Sequence, residues 1–261
     1  VVSALLGIAI QEGKIKSVDQ SVGDFLSDFN EGEKKNITIK HLLMMSSGLN
    51  WNESYANPLS VTTEAYYGTD LKKAVSGLKA TEKPGVTFSY ESGDTQILGL
   101  VLQAATGKSL SQYAHEKLWA PMGAENDALW SVDHEDGYEK AYCCINSNAR
   151  DFARFGNLYL HKGNWKGNQL IDSSYVKRSI TPHGLMYEGK ASDFYGFQWW
   201  TVPDYKGKSF FYARGILGQL IVVVPDKNAV VVRLGEKNGG KAGMHFGMVF
   251  DIVDGLDEML K

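Results

Sequence analysis

Four short runs crowd into the stretch from residue 195 to residue 234, each rich in β-branched and aromatic residues and bounded by turn residues. They are Tyr195–Val202, Ser209–Arg214, Gln219–Val224 and Ala229–Leu234. Read as successive strands at this spacing, they form an antiparallel meander, with Pro225-Asp226-Lys227-Asn228 as one hairpin turn. Most of the chain before them carries helical patterning, and Met244 to Leu260 reads as a closing helix. Helices first, then a meander and a final helix, define an α+β fold: an antiparallel sheet flanked by helices. No internal repeat or flexible linker interrupts the chain. It therefore reads as one domain, 1-261, with a mostly helical lobe inserted over about 30-190 and the sheet and last helix in 195-261.

Residues 1–12 are apolar nearly all round, the pattern of a buried helix, and Gly13 ends it. The run enters that helix partway along, which reads as a fragment or a processed product. Leu49 to Gly68 reads as a long loop carrying Trp51, Tyr55, Tyr66 and Tyr67; it is either a binding rim or a surface loop pinned by its own aromatics. Leu71–Leu78 and Leu110–Leu118 are predicted helices, and Ser147-Asn148 caps another over Ala149–His161. Pro84-Gly85 signals a turn and Val86–Ser89 a short extended run. Ser92-Gly93-Asp94 then opens a helix with a wide apolar face, closed by Gly107. Tyr90 thus stands just before a helix N-terminus, where backbone N–H groups favour negative charge. It is either an acid–base tyrosine or a core tyrosine beside a capped helix.

The 27 basic and 30 acidic residues leave a formal charge of −3, which gives no electrostatic basis for nucleic acid or an anionic membrane. No apolar run approaches the ~20 residues of a transmembrane helix. The two cysteines, Cys143 and Cys144, are adjacent; neighbours rarely bridge, so no disulfide framework is expected. The six histidines show no metal-ligand spacing, and no metal or cofactor is expected. Asp133-His134-Glu135-Asp136 reads as a solvated turn rather than a cation site.

Several segments together resemble the serine β-lactamase and penicillin-binding-protein superfamily, in the branch of class C-like esterases and 6-aminohexanoate-dimer hydrolases. Tyr90-Glu91-Ser92 is similar to its Tyr-x-Asn or Tyr-x-Ser motif. Ile37-Thr38-Ile39-Lys40-His41-Leu42-Leu43-Met44-Met45-Ser46-Ser47-Gly48 matches a structural pattern of the family, as do Leu118-Trp119-Ala120-Pro121-Met122-Gly123 and Ala149-Arg150-Asp151-Phe152-Ala153-Arg154-Phe155-Gly156. The resemblance implies a packed His41, a structural charge network of Arg150, Asp151 and Arg154, and a β-lactamase/transpeptidase-like fold lacking its N-terminal strands. It further implies a serine hydrolase acting on a small ester or amide. Tyr90 would be catalytic, the Ile216 backbone N–H would serve the oxyanion hole, and Ser92, Trp51, Tyr55, Tyr66, Arg214 and Gly215 would contact substrate.

The superfamily's nucleophile is the serine of Ser-x-x-Lys, at the start of a buried helix. Residues 1–14 resemble the rest of that helix, beyond the lysine, so the serine is expected about one to two helical turns before Val1. Two internal matches, Ser76–Lys79 and Ser174–Lys177, open no buried helix and are set aside. With Gly215 aligned on the glycine of Lys-Thr-Gly or His-x-Gly, Ala213 stands where the cation belongs, which favours an esterase or amidase over a β-lactam-binding role. The alternative is a catalytically silent protein binding peptide or cell-wall fragments in a cleft rimmed by Trp51, Tyr55, Tyr66 and Trp199. Export to the periplasm is a family-level lean and no more.

Overall fold

The computed structural model describes residues 1–260. The chain divides into two compact units. The first comprises residues 1–121, 128–146 and 183–192, and the second residues 122–127, 147–182 and 193–261.

The first unit is helical. Helix α1 (Val2–Gln11) is buried from Val2 to Ala9, as its nearly all-apolar sequence demands. Short helices α2 (Ile39–Leu43), α3 (Val61–Tyr67) and α4 (Leu71–Ser76) precede the long α5 (Ser92–Thr106), and α6 (Leu110–Ala114) runs on into a π-turn over His115–Trp119. Helices α1, α2, α4 and α6 pack on α5, whose Ile97, Leu98, Val101 and Leu102 have no exposed surface. Removing side chains of that size from water contributes about 1.5–3 kcal/mol each. Gly107 ends α5 at φ 69°, the left-handed conformation that glycine adopts without a Cβ penalty. The loop expected over 49–68 is shorter than the sequence suggests. Ser60 accepts from Thr63 N and starts α3, so only its first half is irregular.

The second unit holds the meander: β1 (Trp200–Tyr205), β2 (Lys208–Arg214), β3 (Leu220–Val224) and β4 (Ala229–Arg233) pair antiparallel in sequence order. Pro225–Lys227 and a left-handed Asn228 turn β3 into β4. The first strand begins later than its composition implies. Gln198 has φ 62°, which breaks the extended run, and Trp199 packs with Phe155 and Tyr159 instead of lining a rim. Helix α7 (Ala149–Leu160) lies so close to the sheet that a Cβ on Gly156 would stand 2.6 Å from Val230 Cγ1 and 2.8 Å from Ile221 Cγ2. Helix α8 (Ser173–Ser179) comes next, and α9 (Met248–Met259) closes the chain. Phe210, of opposite parity on β2 to Phe211, meets Phe250 of α9. Helix α9 starts at Met248 rather than Met244, because His245–Phe246 pairs with Lys241–Ala242.

The charge network sits at the start of α7. Asp151 has no exposed surface and accepts from Glu125 N (2.8 Å), Asn126 N (3.1 Å), Asn148 Nδ2 (2.6 Å) and Arg154 Nη1 (3.0 Å). Two sequence expectations are corrected in the first unit. Cys143 and Cys144 form a disulfide across adjacent residues. Cys144 has φ 67°, which turns two side chains to one side that an extended chain would point apart. Asp133 is not a solvated turn residue. It is 8% exposed and accepts from Leu71 N, His134 N and Tyr138 N, tying that loop to α4.

Candidate active site

The turn that carries Tyr90 is built on the segment before it. Thr38 caps α2 by accepting from His41 N, and His41 Nδ1 accepts from Thr38 N in return. His41 is therefore a packing residue, and burial lowers its pKa. Its ring abuts Gly85, where a Cβ would lie 2.8 Å from Nε2, and Gly85 itself needs φ 78°. Beyond the helix, Ser46 O accepts from Gly85 N (2.8 Å), Met45 O from Ser89 N (2.9 Å), and Gly48 O from Thr81 N (2.8 Å). On its other side the run is held by Phe88 N donating to Met186 O (2.8 Å). The extended run 86–89 is thus bonded along both edges, and Tyr90 emerges at its end, next to the fully folded entry to α5.

Glu91 is the N-cap of α5, yet its side chain caps nothing. The orphan N–H of Ser92 donates instead to Glu53 Oε2 (2.7 Å), while Ser92 Oγ donates to Glu53 Oε1 (2.5 Å). The same carboxylate accepts from Trp51 Nε1 (2.7 Å) and from Tyr55 Oη. Trp51 is 7% exposed, its indole lying against Gly93 of α5. Burial and the Glu53 carboxylate raise the Tyr55 pKa, with Tyr90 a further electrostatic neighbour. Behind this layer lie two buried carboxyls. Glu91, 6% exposed, is pushed up to about 7 by burial, opposed by hydrogen bonds from Ser89 and Ser47 and reinforced by the charges of Glu53 and Glu82. Burial, followed by the Glu91 charge, raises Asp94 well above the carboxylate range.

The predicted residues of the first unit therefore fall into two groups. Trp51, Tyr55 and Ser92 converge on Glu53 beside Tyr90. Tyr66 stands on α3, 47% exposed, with Lys140 Nζ 5.2 Å from its ring centre and donating to its carbonyl (2.5 Å). Tyr142 lies within electrostatic reach of both Tyr66 and Glu53, and its pKa is raised by burial and then by those two groups. No motif or spacing in the sequence marks Glu53, Glu91 or Asp94 as site residues.

In the second unit, Arg214, Gly215 and Ile216 end β2 and enter the turn to β3. Gly215 N donates to Gln219 O (2.8 Å), and Ile216 is 57% exposed at the turn. Arg214 lies over Trp200 (3.5 Å to the ring centre) and Phe246 (4.8 Å), and its Nη1 donates to Met244 O (2.9 Å). Next to it, Tyr212 Oη and His245 Nδ1 are hydrogen-bonded at 2.8 Å. Burial and the Arg214 charge lower His245 to about 4, so its imidazole is neutral at pH 7.

Ser76 ends α4, and both Ser174 and Lys177 are exposed on α8, where Ser174 bonds to the capping Asp172. Neither internal Ser-x-x-Lys is built as a nucleophile. Among the described residues no group of three or more His, Cys, Asp or Glu side chains could hold a metal ion, and no helix is long and apolar enough to cross a membrane.

These features, a tyrosine turn before a buried helix and a helix-backed antiparallel meander, are those of the β-lactamase and penicillin-binding-protein class. The sequence profile of the Beta-lactamase family matches residues 1–246, and the chain belongs to that family. It is 25% identical over 275 residues to the 6-aminohexanoate-dimer hydrolase of Paenarthrobacter ureafaciens, an alignment covering 97% of this chain and 69% of that protein. Protein flp of Staphylococcus aureus (strain COL) is 31% identical over 143 residues, which is 52% of this chain and 28% of flp. Among solved structures, a Bacillus anthracis protein provisionally described as a 6-aminohexanoate-dimer hydrolase superposes with a TM-score of 0.84 at 23% identity, over 99% of this chain and 70% of that one. A family VIII carboxylesterase gives 0.70 at 16% identity, over 92% and 76%. The family's hydrolases are thus this chain's relatives in sequence and in fold.

Proposed function

We propose that the protein carrying this chain is a serine hydrolase that cleaves a small ester or amide through an acyl-enzyme. The observation that carries this reading is the position of Tyr90: one residue before the N-cap of α5, at the end of a run bonded along both edges. The bonded backbone fixes where the Tyr90 Cα stands, which narrows the geometries its phenol must search to reach a proton-transfer position. Family membership and the hydrolase relatives support the same reading.

In this mechanism a serine Oγ, expected before Val1 together with its Ser-x-x-Lys lysine, attacks the substrate carbonyl. The lysine receives the hydroxyl proton, and the tetrahedral oxyanion is stabilised by backbone N–H groups. Collapse breaks the bond to the alcohol or amine, which takes a proton relayed by Tyr90. Water then adds to the acyl-serine and releases the acid, returning the proton along the same groups. In the first unit, Trp51, Tyr55 and Tyr66 supply the aromatic surface for substrate, with Ser92 as a polar contact.

A second reading rests on Ala213, which offers no cation where the resemblance expects one: a silent protein that binds peptide or wall fragments. Hydrolysis of a nitrophenyl ester by the full-length protein separates the two. Saturable turnover, abolished by a fluorophosphonate, supports the hydrolase. Stoichiometric binding of peptide fragments without turnover supports the silent protein.

A further inference from the structure

Glu53 is a single carboxylate that receives four donors from three residues. Oε1 takes the Ser92 and Tyr55 hydroxyls, and Oε2 takes Trp51 Nε1 and Ser92 N. Two of these donors belong to Ser92, 39 residues away and two positions after Tyr90. The carboxylate does for α5 what its own N-cap side chain does not: the Glu91 carboxyl accepts no helix N–H, its backbone carbonyl takes Asp94 N (3.2 Å), and Glu53 takes the Ser92 N–H from outside. A negative charge at the start of a 15-residue helix is also where the helix dipole favours it. The loop that presents Glu53 is itself fastened. Thr62 Oγ1 donates to Asn52 O (2.6 Å), Ser60 Oγ to Ser54 O (2.7 Å), and Asn50 Oδ1 accepts from Lys79 N (2.7 Å). The position of Glu53 is thus set by contacts independent of the ones it makes.

We infer that Glu53 is the positioning residue of the tyrosine motif. Through Ser92 N and Oγ it fixes the turn that aims Tyr90, and through Trp51 and Tyr55 it locks the aromatic wall to the same point. The inference rests on the proposed role of Tyr90. It assigns Glu53 no contact with reacting atoms.

The test measures fluorophosphonate labelling of the full-length protein as a function of probe concentration, giving a maximal rate, a half-saturating concentration and a final labelled fraction. Glu53→Ala removes all four acceptor contacts and should slow the maximal rate about 10–100-fold, the scale of a misplaced catalytic group, with the labelled fraction still complete. Glu53→Gln should recover to within about threefold of wild type. Its carbonyl oxygen can take the two N–H donors, and its NH₂ can face the two hydroxyls, which also accept. Wild-type rates in Glu53→Ala would overturn the inference, as would equal rates in the two variants. A loss confined to the labelled fraction would also overturn it, since that marks a folding defect rather than misplacement. If Glu53→Ala does not fold, Trp51→Phe decides; it removes one donor and keeps a ring on Gly93, and a wild-type rate there counts against the inference. Absence of labelling in the wild type removes the reading of Tyr90 and this inference with it, whereas a labelled wild type with an indifferent Glu53→Ala removes this inference alone.

Discussion

Replacing Gly93 by alanine tests the junction between Trp51 and α5 with a single methyl group. The added Cβ would lie 2.4 Å from Trp51 Cε3, 2.7 Å from Cδ2 and 3.1 Å from Cζ3. Carbon pairs settle at about 3.5–4 Å, so the indole must retreat by roughly 1 Å. It cannot do so freely, being 7% exposed and held through Nε1 by Glu53 at 2.7 Å. Overpacking of this kind costs about 1–3 kcal/mol. Against it stands the helix propensity of alanine over glycine, worth about 1 kcal/mol in a helix interior. The net expectation is a destabilisation of about 1 kcal/mol, and a companion variant separates the two effects. Gly77, also in the first unit, has φ −73°, and a Cβ there meets only Lys73 O at 3.6 Å. Gly77→Ala should therefore gain about 0.4–1 kcal/mol through the unfolded state. Urea denaturation followed by far-ultraviolet circular dichroism compares the variants with the wild type. If Gly93→Ala is stabilised as much as Gly77→Ala, the packing of Trp51 on α5 is not as described.

Glu91→Gln should change the pH dependence of stability. The folded protein holds the Glu91 proton up to about 7, while the unfolded chain releases it near 4.5, so this group makes native stability fall as pH rises between those values. The amide removes that slope, and the variant should gain on wild type by on the order of 3 kcal/mol from pH 4.5 to 7 in unfolding titrations. A gap that stays constant with pH would contradict the burial that raises Glu91. Asp151→Asn puts an amide where four donors converge on a carboxylate and should cost about 3 kcal/mol, read as a lowered denaturation midpoint. Thiol titration of the denatured, unreduced protein should find neither Cys143 nor Cys144 reactive, and both after reduction.

The features legible in the sequence are local. Gly107 as a helix stop, Asn148 as a cap and the hairpin turn Pro225-Asp226-Lys227-Asn228 all reflect the conformational preferences of a residue and its near neighbours. The segment from Ile37 to Gly48 is recognisable as structural, and its mutual Thr38–His41 cap and its contact with Gly85 explain why. The features that escape depend on pairings across the chain. Glu53 looks like any loop glutamate until Ser92 is brought to it, and a buried pair such as Glu91 and Asp94 has no pattern that distinguishes it from a capping box. Trp199 is expected on the rim of a cleft, in a run read as one continuous strand. The break at Gln198 turns it into the core among Phe155, Tyr159 and Phe211. The Cys143–Cys144 bridge needs a left-handed Cys144, which composition does not announce.

The central claim is that Tyr90 moves a proton in an acyl-transfer reaction, and Tyr90→Phe addresses it most directly because only the hydroxyl is lost. Fluorophosphonate labelling and nitrophenyl-ester turnover are compared for the full-length wild type and variant, with the denaturation midpoint measured alongside. The expected result is a loss of about 10²–10⁴ in rate, the contribution of a positioned acid–base group, with the midpoint within experimental scatter of wild type. Labelling and turnover of Tyr90→Phe at the wild-type rate would contradict the claim.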